Sequence, residues 1–385
     1  MVPQDVEFAL PWPLRVSPHL DAAREHNLEW MSARGLLAPE ERERYLRWQL
    51  AEVSAYFYPE ASEEGLFLAT DLMGWYFSPF DDQFDGLLGG IPRAAAEVLG
   101  QFAALLHRAD TGASTGPGTG ADTGASTGPD IGANTGADTG PDIGANTGAD
   151  TGPDIGANTG ADTGTGTSAG PGRQGEPAVE AFTDLWRRWT AGMSPHWTAR
   201  TTGNWCQYLA VYLTEAQIRA GQHSTGGVDE HLWRRRRSIS AYVLNDLYER
   251  VSGFEVPPLA WHSQALTALR DTAADIVSIS NDVASVEKEE ADGTGGNNLL
   301  LILERDHGMN RDQSLAEAVA RTRELATRFR GLEPHAHALA RCLPPDQETA
   351  VLRYIVLLQD FMAGNDRWER TSHRYTVSGH QPLPL

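Results

Sequence analysis

Apolar residues along most of this chain recur at three- and four-residue steps. Within residues 265–286, Leu266, Leu269, Ala273, Ile276 and Val277 fall on one stripe of a helix. Residues 314–330 read SLAEAVARTRELATRFR, rich in strong helix formers with charges of both signs. Residues 350–362 predict another apolar-rich helix. Pro257-Pro258, Asp292-Gly293 and Pro344-Pro345 punctuate these runs. Alternating, strand-like runs bounded by turn residues are scarce. The pattern predicts an all-α protein built from long helices.

One stretch breaks the pattern. Residues 110–172 hold 18 of the 39 glycines and eight Asp, with no Lys, Arg, Glu or aromatic residue. Residues 131–142 read IGANTGADTGPD, residues 143–154 repeat them identically, and Ile155 opens another copy. A 12-residue repeat could build a solenoid. Here each repeat brings a single large apolar residue, Ile131, Ile143 or Ile155, too little burial to offset the entropy of ordering. The glycines fall mostly every fourth residue, so the collagen period fails. The expectation is a flexible, low-complexity insert, with weak cation binding by its Asp residues as the alternative. It separates two helical stretches, so residues 1–109 and 173–385 are expected to be the two parts of one domain.

Composition changes the picture once the insert is set aside. The chain of 385 residues carries a net charge of −21, and the 322 residues outside the insert carry −13. Eleven Trp, 11 Phe and 10 Tyr are enough for a sizeable core. No run of 18 apolar residues exists, so no membrane span is expected. The first residues lack the basic and apolar regions of a signal peptide. Cys206 and Cys342 form neither a CxxC nor a disulfide framework, which points to a reducing cytoplasm. The negative charge argues against nucleic acid as a partner. It does not exclude an anionic substrate, since metal ions and a few local cations can hold one.

Two motifs carry candidate chemistry. Asp81-Asp82-Gln83-Phe84-Asp85 closes the apolar and aromatic run LMGWYFSPF. On a helix Asp81 and Asp85 share a face, and two carboxylates so close repel unless capped, protonated or bound to cations. A solvated acidic helix end and a pair of Mg²⁺ ligands both fit. Pro79 should kink the helix just before this motif. The second motif is more specific. Asn281, Ser285 and Glu289 stand at i, i+4 and i+8, a stripe of an amide carbonyl, a hydroxyl and a carboxylate suited to one Mg²⁺. Lys288 adjoins the stripe, within reach of a phosphate. An ordinary polar helix face is the alternative.

These motifs resemble those of the bacterial class I terpene synthases, the sesquiterpene cyclases in particular. The aspartate-rich motif of that family corresponds to residues 81–85, and its Asn-Asp-x-x-Ser-x-x-Lys-Glu motif to residues 281–289. Arg374-Tyr375, preceded by Trp368, is similar to the family's terminal Arg-Tyr pair. The run Trp233-Arg234-Arg235-Arg236-Arg237-Ser238 lies where the family places a diphosphate-sensing arginine. Family spacing selects Arg235, then Arg234. The resemblance extends to Leu10-Pro11-Trp12-Pro13 and covers roughly residues 8–376, without the insert.

The resemblance implies a single-domain helical bundle with a central active-site cavity. It implies three Mg²⁺ ions with diphosphate bound: two at Asp81 and Asp85, one at Asn281, Ser285 and Glu289, with Asp82 turned away. Arg235, Lys288, Arg374 and Tyr375 would donate hydrogen bonds to the diphosphate of a prenyl substrate. Phe77, Phe361 and Trp368 would face the carbocation, each with plain core packing as its alternative. The implied reaction ionises farnesyl diphosphate and cyclises it to a sesquiterpene. The family is found as monomers or homodimers.

Rival readings differ in their motifs. A chain-elongating prenyltransferase uses two Asp-rich motifs, and here the second is of the Asn/Ser/Glu kind. Geranyl and geranylgeranyl diphosphate remain as substrates. A non-catalytic helical scaffold predicts decayed metal residues, and these are intact. His335-x-His337 has the wrong spacing for zinc on one helix face. Deleting residues 111–171 is expected to leave catalysis largely unchanged, as product formation by the shortened and full-length chains will show. A collapse in activity would give the insert a role.

Overall fold

The computed structural model describes residues 6–81, 84, 87–111, 175–291 and 295–375. Asp82, Asp85, Asp292-Gly293 and nearly all of the insert lie outside them. Residues 1–112 and 171–385 form one compact unit. Among the described residues the elements are helices and no strand occurs. None of these helices is long and apolar enough to cross a membrane.

Helix α1 spans Leu20–Ala33, α2 Arg42–Arg47, α3 Leu50–Phe57 and α4 Glu63–Trp75. Helix α5 spans Pro92–Thr111, α6 Gly175–Thr190, α7 Pro195–Arg219, α8 Val228–Ser238 and α9 Ala241–Ser252. After the short α10, Pro258–Trp261, come α11 Gln264–Ala291, α12 Leu299–His307, α13 Arg311–Ala340 and α14 Pro345–Thr371. The prolines that punctuate the sequence start α10 and α14, where a missing N–H costs nothing. Ser62 and Ser194 cap α4 and α7 by accepting from the backbone N–H three residues on, each at 3.1 Å. Asn310 and Gln313 form a reciprocal capping box at the start of α13. That helix runs ten residues past 330, through Pro334. Pro334 is exposed, so water can satisfy the carbonyl its ring leaves unpaired.

Two packing centres hold the walls of the cavity in place. At the first, Trp75 of α4 meets Phe182 of α6 at 4.8 Å, Phe80 at 5.0 Å and Phe102 of α5 at 5.4 Å between ring centroids. Its indole N–H donates to the carbonyl of Ala178 at 2.8 Å. These contacts fix the end of α4 just before Asp81. At the second, α14 lies on α3. A Cβ at Gly364 would stand 2.8 Å from Cβ of Tyr56 and 3.2 Å from its carbonyl carbon, so only glycine permits this approach. One turn away Phe361 packs edge-on against Phe57 at 4.8 Å. Trp368 donates to the carbonyl of Trp48 at 2.8 Å.

Gly364→Ala should therefore cost about 1–3 kcal/mol, since backbone and a ring must both give way. Thermal unfolding measures it; an unchanged or raised midpoint would show that the two helices are not in tight contact.

Candidate active site

The last turn of α4 widens before the first motif. Tyr76–Phe80 is a π-turn, and the N–H of Asp81 reaches back five residues to the carbonyl of Tyr76. Pro79 supplies no N–H, and a widened turn absorbs the loss without ending the helix. The irregularity expected at Pro79 is this π-turn. Asp81 then points into the cavity. Its Oδ1 accepts from the Tyr212 hydroxyl of α7 at 3.1 Å, and its Oδ2 from Nη2 of Arg374 at 2.5 Å. Nη1 of Arg374 donates to the carbonyl of Phe77 at 3.3 Å. The guanidinium lies 4.8 Å from the Phe77 ring centroid and 4.9 Å from that of Trp48. It is buried, held by a carboxylate, a carbonyl and two ring faces.

Asn281, Ser285 and Glu289 form one face of α11, as the spacing predicts. Oγ of Ser285 stands 2.6 Å from Oε1 of Glu289 and 2.8 Å from the carbonyl of Asn281. The Asn281 amide is fixed at both ends. Its Oδ1 accepts from Nη2 of Arg235 at 2.7 Å, and its Nδ2 lies 2.9 Å from Oε1 of Glu369 and 3.0 Å from the Tyr375 hydroxyl. Burial pushes the carboxyl of Glu289 up to about 7, with the Asp282 charge adding to it. Burial likewise pushes Glu369 up to about 8.

The four arginines of α8 separate by direction. Arg234 donates to Asn297 and to the carbonyl of Thr225. Arg236 pairs with Asp275 and Asp271, and Arg237 stacks on exposed Trp233. Arg235 alone of the four lines the cavity. Its Nε donates to Oδ1 of Asp282 at 3.0 Å. Asp282, the residue after Asn281, faces the other way and is fully buried. It also accepts from the backbone N–H of Leu299 and lies 2.6 Å from Nε2 of His231. Burial opposes its charge, but Arg235 and His231 outweigh that and hold the carboxyl below the usual range.

The cavity opens to solvent. Asp81, Arg235, Asn281, Ser285, Lys288, Glu289, Arg374 and Tyr375 are among its polar lining. Phe57, Phe77, Leu244, Val277, Phe361 and Trp368 are among its apolar lining. Every predicted site residue within the described set borders this one space; Asp85 lies outside that set. The sequence reading missed Tyr212, Glu215 and Arg219, which also line it. Their i, i+3, i+7 spacing on α7 was the available signal. It also missed Glu369, adjacent to Trp368.

The donor set tests the implied metal. The oxygens of Asp81, Asn281, Ser285 and Glu289 are hard ligands of the kind Mg²⁺ takes. Among the described residues no three His, Cys, Asp or Glu side chains gather into a metal site. The donor types of Asp81, Asn281, Ser285 and Glu289, all oxygen, suit a hard divalent cation.

Comparisons with known proteins agree with this geometry. The family model described as terpene synthase family 2, C-terminal metal binding, matches residues 159–328. Pentalenene synthase of Streptomyces arenae is 30% identical over 378 residues, covering 97% of this chain and 94% of that protein. R-linalool synthase of Streptomyces clavuligerus is 34% identical over 382 residues, covering 98% and 95%. The structure of wild-type cucumene synthase superposes with a TM-score of 0.70 at 35% identity, covering 94% of this chain and 99% of that one.

The raised carboxyl of Glu289 predicts a pH dependence. Below about 7 it carries a proton that a cation must displace. Affinity for Mn²⁺ should fall as pH drops through that value, by about tenfold per unit for one released proton. Electron paramagnetic resonance titrations will show it, and an affinity flat across the range would contradict it.

Proposed function

The chain belongs to the class I terpene synthases, enzymes that use a divalent metal, and we propose that it converts farnesyl diphosphate to a cyclic sesquiterpene and diphosphate. One observation carries the reading: hard oxygen donors and two guanidiniums line the same cavity as Phe57, Phe77, Phe361 and Trp368, matching a substrate with a diphosphate head and a hydrocarbon tail. We take residues 1–109 and 173–385 as one catalytic domain interrupted by the insert.

In this reading Asp81, Asn281, Ser285 and Glu289 hold Mg²⁺, three ions with the diphosphate bound, and Asp85 completes the first motif. Bound there, Mg²⁺ supplies positive charge that neutralises the leaving diphosphate. Arg235, Lys288, Arg374 and Tyr375 donate hydrogen bonds to its oxygens as the carbon–oxygen bond breaks. Both guanidiniums are already oriented: Asp282 holds the Nε edge of Arg235, and the Phe77 carbonyl holds one arm of Arg374. The allylic cation forms near Phe77, whose ring lies 4.8 Å from the Arg374 guanidinium that would hold the diphosphate. Phe77, Trp368 and Phe361 lend their ring faces at ~0.5–2 kcal/mol each. The remaining apolar wall keeps water from the cation and folds the chain.

The relatives' names support a fifteen-carbon substrate: the (−)-β-caryophyllene synthase of Saccharothrix espanaensis, 30% identical, is described as cyclising farnesyl diphosphate. R-linalool synthase makes a ten-carbon substrate the second candidate.

Incubation with Mg²⁺ and the ten-, fifteen- and twenty-carbon diphosphates, read by gas chromatography, tests the reading. The expected result is a cyclic product from farnesyl diphosphate, lost to below detection in Asn281→Ala and Glu289→Ala with helical circular dichroism unchanged. No terpene from any substrate would end the proposal. Elongated diphosphates from mixed substrates would favour a prenyltransferase.

A further inference from the structure

An amide ligates a cation through its oxygen and repels it through its nitrogen. The two ends of Asn281 have nearly the same size, so shape alone does not choose between them. Hydrogen bonds choose. The guanidinium of Arg235 has donors only, so it accepts nothing from Nδ2 and requires Oδ1 on its side. On the opposite side Glu369 Oε1 and the Tyr375 hydroxyl both take the Nδ2 hydrogens. A flipped amide would set N–H against the guanidinium and give up both of these bonds.

We propose that Glu369 is a positioning residue for the metal centre: it holds the amide of Asn281 so that Oδ1 faces the cavity and one lone pair remains for a cation. The proposal rests on the reading that Asn281 is a metal ligand. Both N–H groups of the amide are used and Arg235 takes one lone pair, which leaves one acceptor site for the cation. Glu369 is well placed to hold this orientation. It is 3% exposed, and Ser280 and Asn365 stand near enough to favour its charged form. Asn365, one turn earlier on α14, donates in turn to Ser280 of α11 at 2.9 Å. The carboxyl is thus tied to both helices, and its place on α14 couples the Asn281 amide to the helix that carries Phe361 and Trp368. Glu369 touches no substrate; it acts through Asn281.

The test is the affinity for Mn²⁺ in the presence of inorganic diphosphate, read by electron paramagnetic resonance on the full-length protein. Glu369→Leu should weaken Mn²⁺ binding by about tenfold or more, the usual effect of losing an outer-shell partner. Glu369→Gln, whose Oε1 can still accept from Nδ2, should stay within about threefold of the parent. Should Glu369→Leu fail to fold, Glu369→Ala replaces it. A double-mutant cycle separates orientation from general structure. Asn281→Asp presents oxygen at either end and needs no orienting, so in that background Glu369→Leu should no longer weaken Mn²⁺ binding. Equal losses in both backgrounds, or no loss in the single variant while Asn281→Ala binds weakly, would overturn the proposal and leave the metal assignment standing. Asn281→Ala binding Mn²⁺ as tightly as the parent would remove the metal assignment, and this inference with it.

Discussion

Charge compensation inside a half-buried cavity is the constraint on which the rest depends. A chain with net charge −21 must admit an anion, and the cavity that admits it is lined by carboxylates of its own. Buried charge without a partner is costly, and breaking a buried pair is costlier than never making it. The chain meets part of this by pairing Asp81 and Asn281 with guanidiniums from distant segments. Arg374 reaches Asp81 across 293 residues, and Arg235 spans Asn281 and Asp282 from another helix. In the proposed reading the same guanidiniums turn to a bound diphosphate as cations take those oxygens over, and binding is an exchange of partners.

The scaffold serves this exchange by holding three helix ends to one place. The aromatic cluster around Trp75 fixes α4, and the π-turn aims Asp81 while presenting the Phe77 carbonyl to Arg374. Gly364 lets α14 lie on α3, which brings Phe361 and Trp368 to the wall. Asp282, pointing away from Asn281 on the same helix, ties α8 to α11 and sets the edge of Arg235. The polar and apolar halves of the cavity thus share supports.

Much of this was legible in the sequence because helical spacing converts directly into faces. Asn281, Ser285 and Glu289 read as one stripe and form one, and the long helices after residue 264 appear where the apolar period places them. Other features depend on contacts between distant segments, which spacing does not encode. Four consecutive arginines are equivalent in sequence; only the positions of Asp275, Asn297 and Trp233 send three of them elsewhere. Pro79 announced an irregularity, but its form as a π-turn is not encoded in spacing. Glu369 looked like one more acid on a helix until its neighbour across the helix interface proved to be Asn281.

The most direct measurement of partner exchange is a crystal structure of the protein grown with Mg²⁺ and inorganic diphosphate. The account predicts that Arg235 and Arg374 donate to diphosphate oxygens, and that Asn281 Oδ1, Ser285 Oγ and Glu289 lie about 2.0–2.1 Å from one cation. Diphosphate bound elsewhere, or Arg235 and Arg374 still paired only with Asn281 and Asp81 while diphosphate occupies the cavity, would contradict it.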